Sequence, residues 1–336
     1  MRVNSIGDMA QTFMLRRLTT SIKQQASTAA QELTTGYTSN ITRKLGGDLI
    51  RLSGLESTLS HLKGYSIATD SARLTADTMQ SVFGKIDALT DGLGPTLLNA
   101  ANAESPRMLQ GVTTDAVARF GAVLASLNTK LGDRTLFAGI ASDGPAVAAS
   151  DVILSAIEAA VIGAGATSAS DIETAVAAWF NDPAGFATVG YLGGPVASAL
   201  SVSAEDNVNL GFTAMDPAIK DTLKSLALVA LVGRGTVIFD QQAVLHVSRL
   251  AGTSLLQNQS DRTFLAANLG MVQARIDQAQ TRNEAEEAAL QLARFDLLAV
   301  DPYEAATRME AAQTQLETLY SVTARLSRLS LVDFLR

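Results

Sequence analysis

Leucine, isoleucine and valine recur along most of this chain at steps of three and four residues, the period of a helix with one apolar face. The series Leu45, Leu49, Leu52, Leu55, Leu59 and Leu62 keeps that step, and Ile67, Leu74, Val82, Ile86 and Leu89 continue it less regularly. No proline precedes Pro95, so only glycines break these helices, and Gly36 and Gly46-Gly47 are the expected breaks. They separate a helix over about 5–35 from a second over about 48–93. Pro95 and Ser105-Pro106 mark the next boundary, after which a third helix runs to about Leu131.

The C-terminal part is more regular. Leu265, Leu269, Val272, Ile276, Ala279, Asn283, Glu286, Leu290, Ala293, Leu297 and Val300 alternate steps of four and three, which is a coiled-coil seam. Asn283 and Glu286 lie on that seam, where a polar residue costs stability and fixes register. Asp301-Pro302 interrupts it and predicts a restart, because an Asp cap followed by Pro suits a helix N-terminus. The last helix carries Met309, Ala312, Leu316, Leu319, Thr323, Leu326 and Leu329.

Composition divides the chain differently. Residues 135–219 contain no Lys or Arg but nine acids: Asp143, Asp151, Glu158, Asp171, Glu173, Asp182, Glu205, Asp206 and Asp216. Four of the seven prolines also fall there. Such edges mark an inserted domain. Helical patterns over about 151–162 and 171–180, followed by a Gly-, Val- and Ser-rich stretch over 189–212, predict an α+β insert with two or three short strands. The expected organisation is a mainly α chain of long antiparallel helices with a coiled-coil rod. Residues 1–42 with 302–336 form terminal arms, 43–134 with 220–301 a helical rod core, and 135–219 an acidic outer insert.

The 336 residues are 47% hydrophobic but 5% aromatic, so the apolar content is mostly small and aliphatic, as suits packed helices. The net charge of −7 argues against nucleic acid as a partner. It is unevenly spread: the insert carries −9 and the flanks, with 26 bases and 24 acids, come to +2. The most apolar run, 226–232, is too short to span a membrane, and residues 1–11 lack the apolar core of a cleaved signal.

Candidate chemistry is sparse. The absence of cysteine excludes disulfides, thiol nucleophiles and cysteine zinc sites. His61 and His246, the only histidines, read as helix-surface residues. No calcium-loop pattern occurs among the acids, and neither Gly163-Ala164-Gly165 nor Gly233-Arg234-Gly235 has phosphate-loop spacing. Trp179 reads as a core anchor of the insert. The expectation is a non-enzyme without cofactor or metal. The ends of the chain are more telling. Ile6, Phe13, Leu18, Ile22 and Leu33 are spread thinly over the first arm, and Leu316, Leu319, Leu326, Leu329 and Phe334 over the last. Helices this polar are marginal alone and are expected to order on assembly.

Four stretches carry a resemblance. Asn4-Ser5-Ile6-Gly7-Asp8 with Gln31-Glu32-Leu33-Thr34-Thr35-Gly36 is similar to the opening helix of the flagellin superfamily. Leu127-Asn128-Thr129-Lys130-Leu131-Gly132-Asp133-Arg134-Thr135-Leu136-Phe137-Ala138-Gly139 resembles the turn that leads out of that family's helical core. Tyr191-Leu192-Gly193-Gly194 is similar to a Tyr-x-Gly pattern of its outer domain, and residues 315–335 to its closing helix. The resemblance is closest to the hook–filament junction branch.

The resemblance implies a structural subunit. Paired terminal arms would form an inner tube, adjoining helices a rod-like shell, and the insert would face outward. It implies export without a cleaved signal through the type III export apparatus, with an export chaperone. It implies a place in the extracellular bacterial flagellum as a homo-oligomer between a neighbouring hook-associated protein and flagellin. Deleting residues 330–336 is expected to leave a helical monomer that does not assemble. Two other readings remain open. Flagellin itself would polymerise into long filaments as pure protein, and a cytoplasmic coiled-coil scaffold would not reach the culture medium.

Overall fold

The chain, as a computed structural model, describes the backbone of residues 4–236 and 240–334 and the side chains of 9–236 and 240–325. It is mainly helical, as the periodicity predicts. The first helices are α1 (Asn4–Thr35), α2 (Ile41–Lys44), α3 (Ile50–Thr90), α4 (Leu93–Asn102) and α5 (Pro106–Leu127). A hairpin of β1 (Lys130–Leu131) and β2 (Arg134–Thr135) follows, then α6 (Ser150–Gly163), α7 (Ala169–Asn181) and a π-turn at Phe186–Gly190. A second hairpin, β3 (Leu200–Ser201) and β4 (Asn207–Val208), leads to α8 (Pro217–Arg234), α9 (Gln241–Leu298) and α10 (Pro302–Phe334). Both hairpins are antiparallel.

Local sequence explains the boundaries. Gly36 and the Gly46-Gly47 pair adopt positive φ and end the helices before them, as expected. Pro95, expected as a boundary, instead sits in the first turn of α4, where its missing N–H costs nothing. The third helix ends at Leu127 rather than near Leu131, because Asn128 caps it and Lys130-Leu131 turn into the hairpin. Ser168 and Asp171 form a reciprocal capping box on α7, and Ser168 holds the exposed Asp171 carboxyl below its ordinary range. Asp216 caps α8 ahead of Pro217, and Asp301 accepts from the Tyr303 amide at the start of α10. Burial pushes the Asp216 carboxyl up, against the hydrogen bond from Ala218.

The chain divides into two compact units, 1–62 with 285–336 and 63–284. The larger holds a main core of aliphatic and aromatic side chains and a small separate cluster of Ala100, Ala101, Leu109 and Leu245. Phe120, Leu223 and Leu226 from the helices and Phe137, Phe180, Phe186 and Ile153 from the 135–219 stretch are fully buried in the main core. Trp179 packs edge-on against Phe180 and Phe186. Arg262 is buried and ties α9 to α3 through Asp87 at 2.7 Å, with Thr222 of α8 at 3.3 Å. The seam residues Leu265, Leu269, Ile276 and Ala279 are buried in the same core.

Candidate assembly surface

The smaller unit is built on α1 and α10, which pack along each other. Its apolar core is small: Ile22, Ala312 and Leu319 are buried, with Leu15, Ala26 and Leu316 half-covering them. Several large apolar residues of α1 face outward, with Phe13 69%, Leu18 48% and Leu33 38% exposed. Met9, Met14 and, on α10, Tyr303 are more exposed still. Ordering a residue costs about 1–2 kcal/mol of backbone entropy, whereas a fully buried Leu or Ile returns about 1.5–3 kcal/mol. Helices of 32 and 33 residues with so few buried side chains therefore have a large uncovered apolar surface for their size.

The closed end of this unit is held firmly. Gly36 ends α1 with φ +74°, and its carbonyl accepts from the Val300 amide at 2.9 Å. The Thr38 amide donates to the Leu298 carbonyl at 2.9 Å, and Tyr37 meets Phe295 edge to face at 5.5 Å. The two predicted helix breaks, at Gly36 and at Asp301-Pro302, are thus clipped to one another by backbone hydrogen bonds. Beside the clip, Glu32 is 4% exposed. Its Oε1 accepts from the Ser39 amide at 2.8 Å. Its Oε2 lies 2.9 Å from Arg308 in an ion pair, although the N–H direction is too poor for a hydrogen bond. A groove of about 770 Å³ runs past this pair between α1, α2 and α10, with a polar lining that includes Gln24, Thr28, Arg43 and Glu304.

The remaining expected arm residues are placed as follows. Ile6 lies in α1 and Leu326, Leu329 and Phe334 in α10, and all four side chains fall outside the described residues. Asn283 is buried in the larger unit and donates to the Val202 carbonyl at 2.8 Å. Thr69 donates to the same carbonyl at 3.3 Å, so Asn283 anchors the β3–β4 hairpin. Arg282 adds an ion pair to Asp206. Glu286 is exposed, and beyond it the expected seam loosens: Ala293 is exposed and Leu290, Leu297 and Val300 are half-buried.

The two motifs quoted from 127–139 and 191–194 meet in space. Asn128 donates to the Val147 carbonyl and accepts from its amide, both at 2.9 Å, mimicking a strand partner. The Gly194 amide donates to Ala138 at 2.8 Å, and the Ile140 amide to Pro195 at 2.9 Å. Tyr191 donates its hydroxyl to Gly194 at 2.7 Å, and burial raises its phenol pKa. Gly139 has φ +58°, and a Cβ there would lie 2.3 Å from the Pro195 carbonyl oxygen. A Cβ on Gly193 would lie 2.5 Å from the Ala138 carbonyl oxygen. Both glycines are therefore required by close backbone approach. In the sequence, only the glycines of each motif signal this contact.

His61 and His246 are both exposed on helices. Among the described residues, no group of three His, Asp or Glu side chains is placed to hold a metal ion, and no helix is long and apolar enough to cross a membrane.

Residues 257–335 match the family model of the bacterial flagellin C-terminal helical region. In fold the chain is similar to a flagellar hook-associated protein of Vibrio parahaemolyticus, with a TM-score of 0.51 and 14% identity over 74% of this chain and 96% of that one. It is similar also to FlgL of Bacillus cereus, with a TM-score of 0.51 and 12% identity over 71% of this chain and 98% of that one. No curated protein matches the chain in sequence. The resemblance read from the sequence holds: the C-terminal helices are of flagellin type, and the fold is one that hook-associated proteins share.

Proposed function

We propose that this chain is a structural subunit of the bacterial flagellum, placed where hook meets filament. The observation that carries the proposal is the α1–α10 pair. It combines a flagellin-type C-terminal helix with a tightly clipped base and an apolar surface that the subunit leaves open. Copies, a hook-associated protein on one side and flagellin on the other are the partners this surface fits. Burying that surface between subunits, at about 25 cal/mol per Å², offsets the entropy of ordering the arms, so folding of the arms and assembly are coupled. The subunit reaches this place through the type III export apparatus, with an export chaperone on the way.

Flagellin is the second reading, favoured by the family model, which describes flagellin itself. A deletion strain separates the two. Loss of the junction subunit leaves hooks without filaments and releases flagellin into the medium. Loss of flagellin leaves hooks without filaments and no flagellin released. Normal filaments on the deletion strain overturn both.

A further inference from the structure

The chain has no cysteine and eight methionines, so thioether sulfur is its group most open to two-electron oxidation. Leaving aside Met1, whose side chain lies outside the described residues, the methionines differ sharply in access. Met9 and Met14 are each 72% exposed, Met271 65% and Met108 48%. Met79 is 2% exposed in the main core, and Met215 and Met309 are half-buried. The two most exposed sulfurs therefore fall together, in the first part of α1.

They stand on the uncovered side of the arm. Leu15, Ile22 and Ala26 form the covered stripe of α1. Met9 lies one turn before Phe13 and Met14 one turn before Leu18, so each thioether extends an apolar patch that the subunit leaves open. Leucine would fill such a patch as well, being of similar volume and equally apolar. What methionine adds is a reactive sulfur lone pair, and with no thiol in the chain nothing more reactive competes for the oxidant.

We propose that Met9 and Met14 are an oxidation site through which peroxide stops the arm from being buried in an assembly. The sulfur lone pair attacks one oxygen of hydrogen peroxide, and the S–O bond forms as the O–O bond breaks. The transferred hydroxyl gives up its proton to the departing hydroxide, which leaves as water. Sulfur loses two electrons and becomes a sulfoxide; peroxide is reduced. The sulfoxide oxygen is a polar acceptor that an apolar contact leaves without a donor, which opposes burial. Sulfoxide reductases restore the thioether, so the block is reversible. It acts only before the face is covered, because burial takes the same sulfurs out of reach. Its consequence rests on the proposed structural role, whereas the chemistry belongs to the subunit alone.

The test has two parts. Purified full chain is treated with hydrogen peroxide, and sulfoxide at each methionine is followed by peptide mass spectrometry. Met9 and Met14 oxidise at least about tenfold faster than Met79, as their access requires, and circular dichroism shows the helix content unchanged. A strain lacking the chain is then supplied with wild type, with M9L and M14L together, or with M108L and M271L together, and given sublethal peroxide while its filaments form. Relative to the same strain without peroxide, filament number falls at least about tenfold with wild type, because two unpaired acceptors weigh against burial. It falls as far with M108L and M271L, and less than about twofold with M9L and M14L, which present no sulfur there. Met79 oxidising as fast as Met9 and Met14, helix content lost on oxidation, filaments that survive peroxide with wild type, or M9L and M14L giving no protection overturns the inference. Normal filaments on the strain lacking the chain would instead sink the flagellar role and leave the order of oxidation standing.

Discussion

Asn128 offers a sharp test of how the helical body passes into the 135–219 stretch. Its amide makes two 2.9 Å hydrogen bonds to the backbone of Val147, a residue 1% exposed. Neighbouring backbone groups pair elsewhere: the Ala148 amide with Gly190, and the Leu192 amide with the Ala146 carbonyl. Asn128→Ala therefore strands one buried donor and one buried acceptor. Each unsatisfied group costs about 1–3 kcal/mol, so the expected loss is about 2–6 kcal/mol. Asn128→Asp keeps an acceptor for the Val147 amide but sets its second carboxylate oxygen against the Val147 carbonyl, so it should not restore wild-type stability. Urea unfolding followed by Trp179 fluorescence reads this unit alone, since Trp179 is the only tryptophan and is packed in its core. An Asn128→Ala midpoint indistinguishable from wild type, or an Asn128→Asp midpoint equal to wild type, would refute the strand-mimic account.

Gly139→Ala should destabilise the same unit strongly, because its Cβ would meet the Pro195 oxygen at 2.3 Å and its φ is +58°; a wild-type melting temperature would count against the close approach. Asp216 is raised by burial, so its folded pKa lies above the unfolded one and its ionisation opposes folding as pH rises past the ordinary carboxylate range. Asp216→Asn keeps the cap, and its stability relative to wild type should therefore be higher at pH 7 than at pH 3; the opposite trend contradicts the shift. Asp87 is 41% exposed in its pair with the buried Arg262, so solvent screens part of the interaction, and Asp87→Ala is expected to lose about 1–3 kcal/mol in urea unfolding. A change under about 1 kcal/mol would show that solvent satisfies the guanidinium.

Much of this architecture was legible because helices announce themselves by period and by punctuation. The breaks at Gly36 and Gly46-Gly47, the restart at Asp301-Pro302 and the caps of α7 and α8 are local chemistry, readable without a partner. Asn283 shows the limit. Its seam position was visible, but its partner is the Val202 carbonyl, 81 residues away in sequence. Periodicity gives a face, not what covers it. Pro95 shows another limit, since a proline reads the same at a boundary and in a first helical turn. The arm residues were legible as apolar positions but not as buried or exposed. Ile22 and Leu319 meet each other's helices, while Phe13 and Leu18 stay uncovered, and only packing decides that.

The central claim is a place at the hook–filament boundary. Isolated hook–filament particles, labelled with gold-conjugated antibody against this chain, test it most directly. The account predicts label confined to the boundary, in an amount independent of filament length. Label along the filament would make the chain flagellin, and particles without label would remove it from the flagellum.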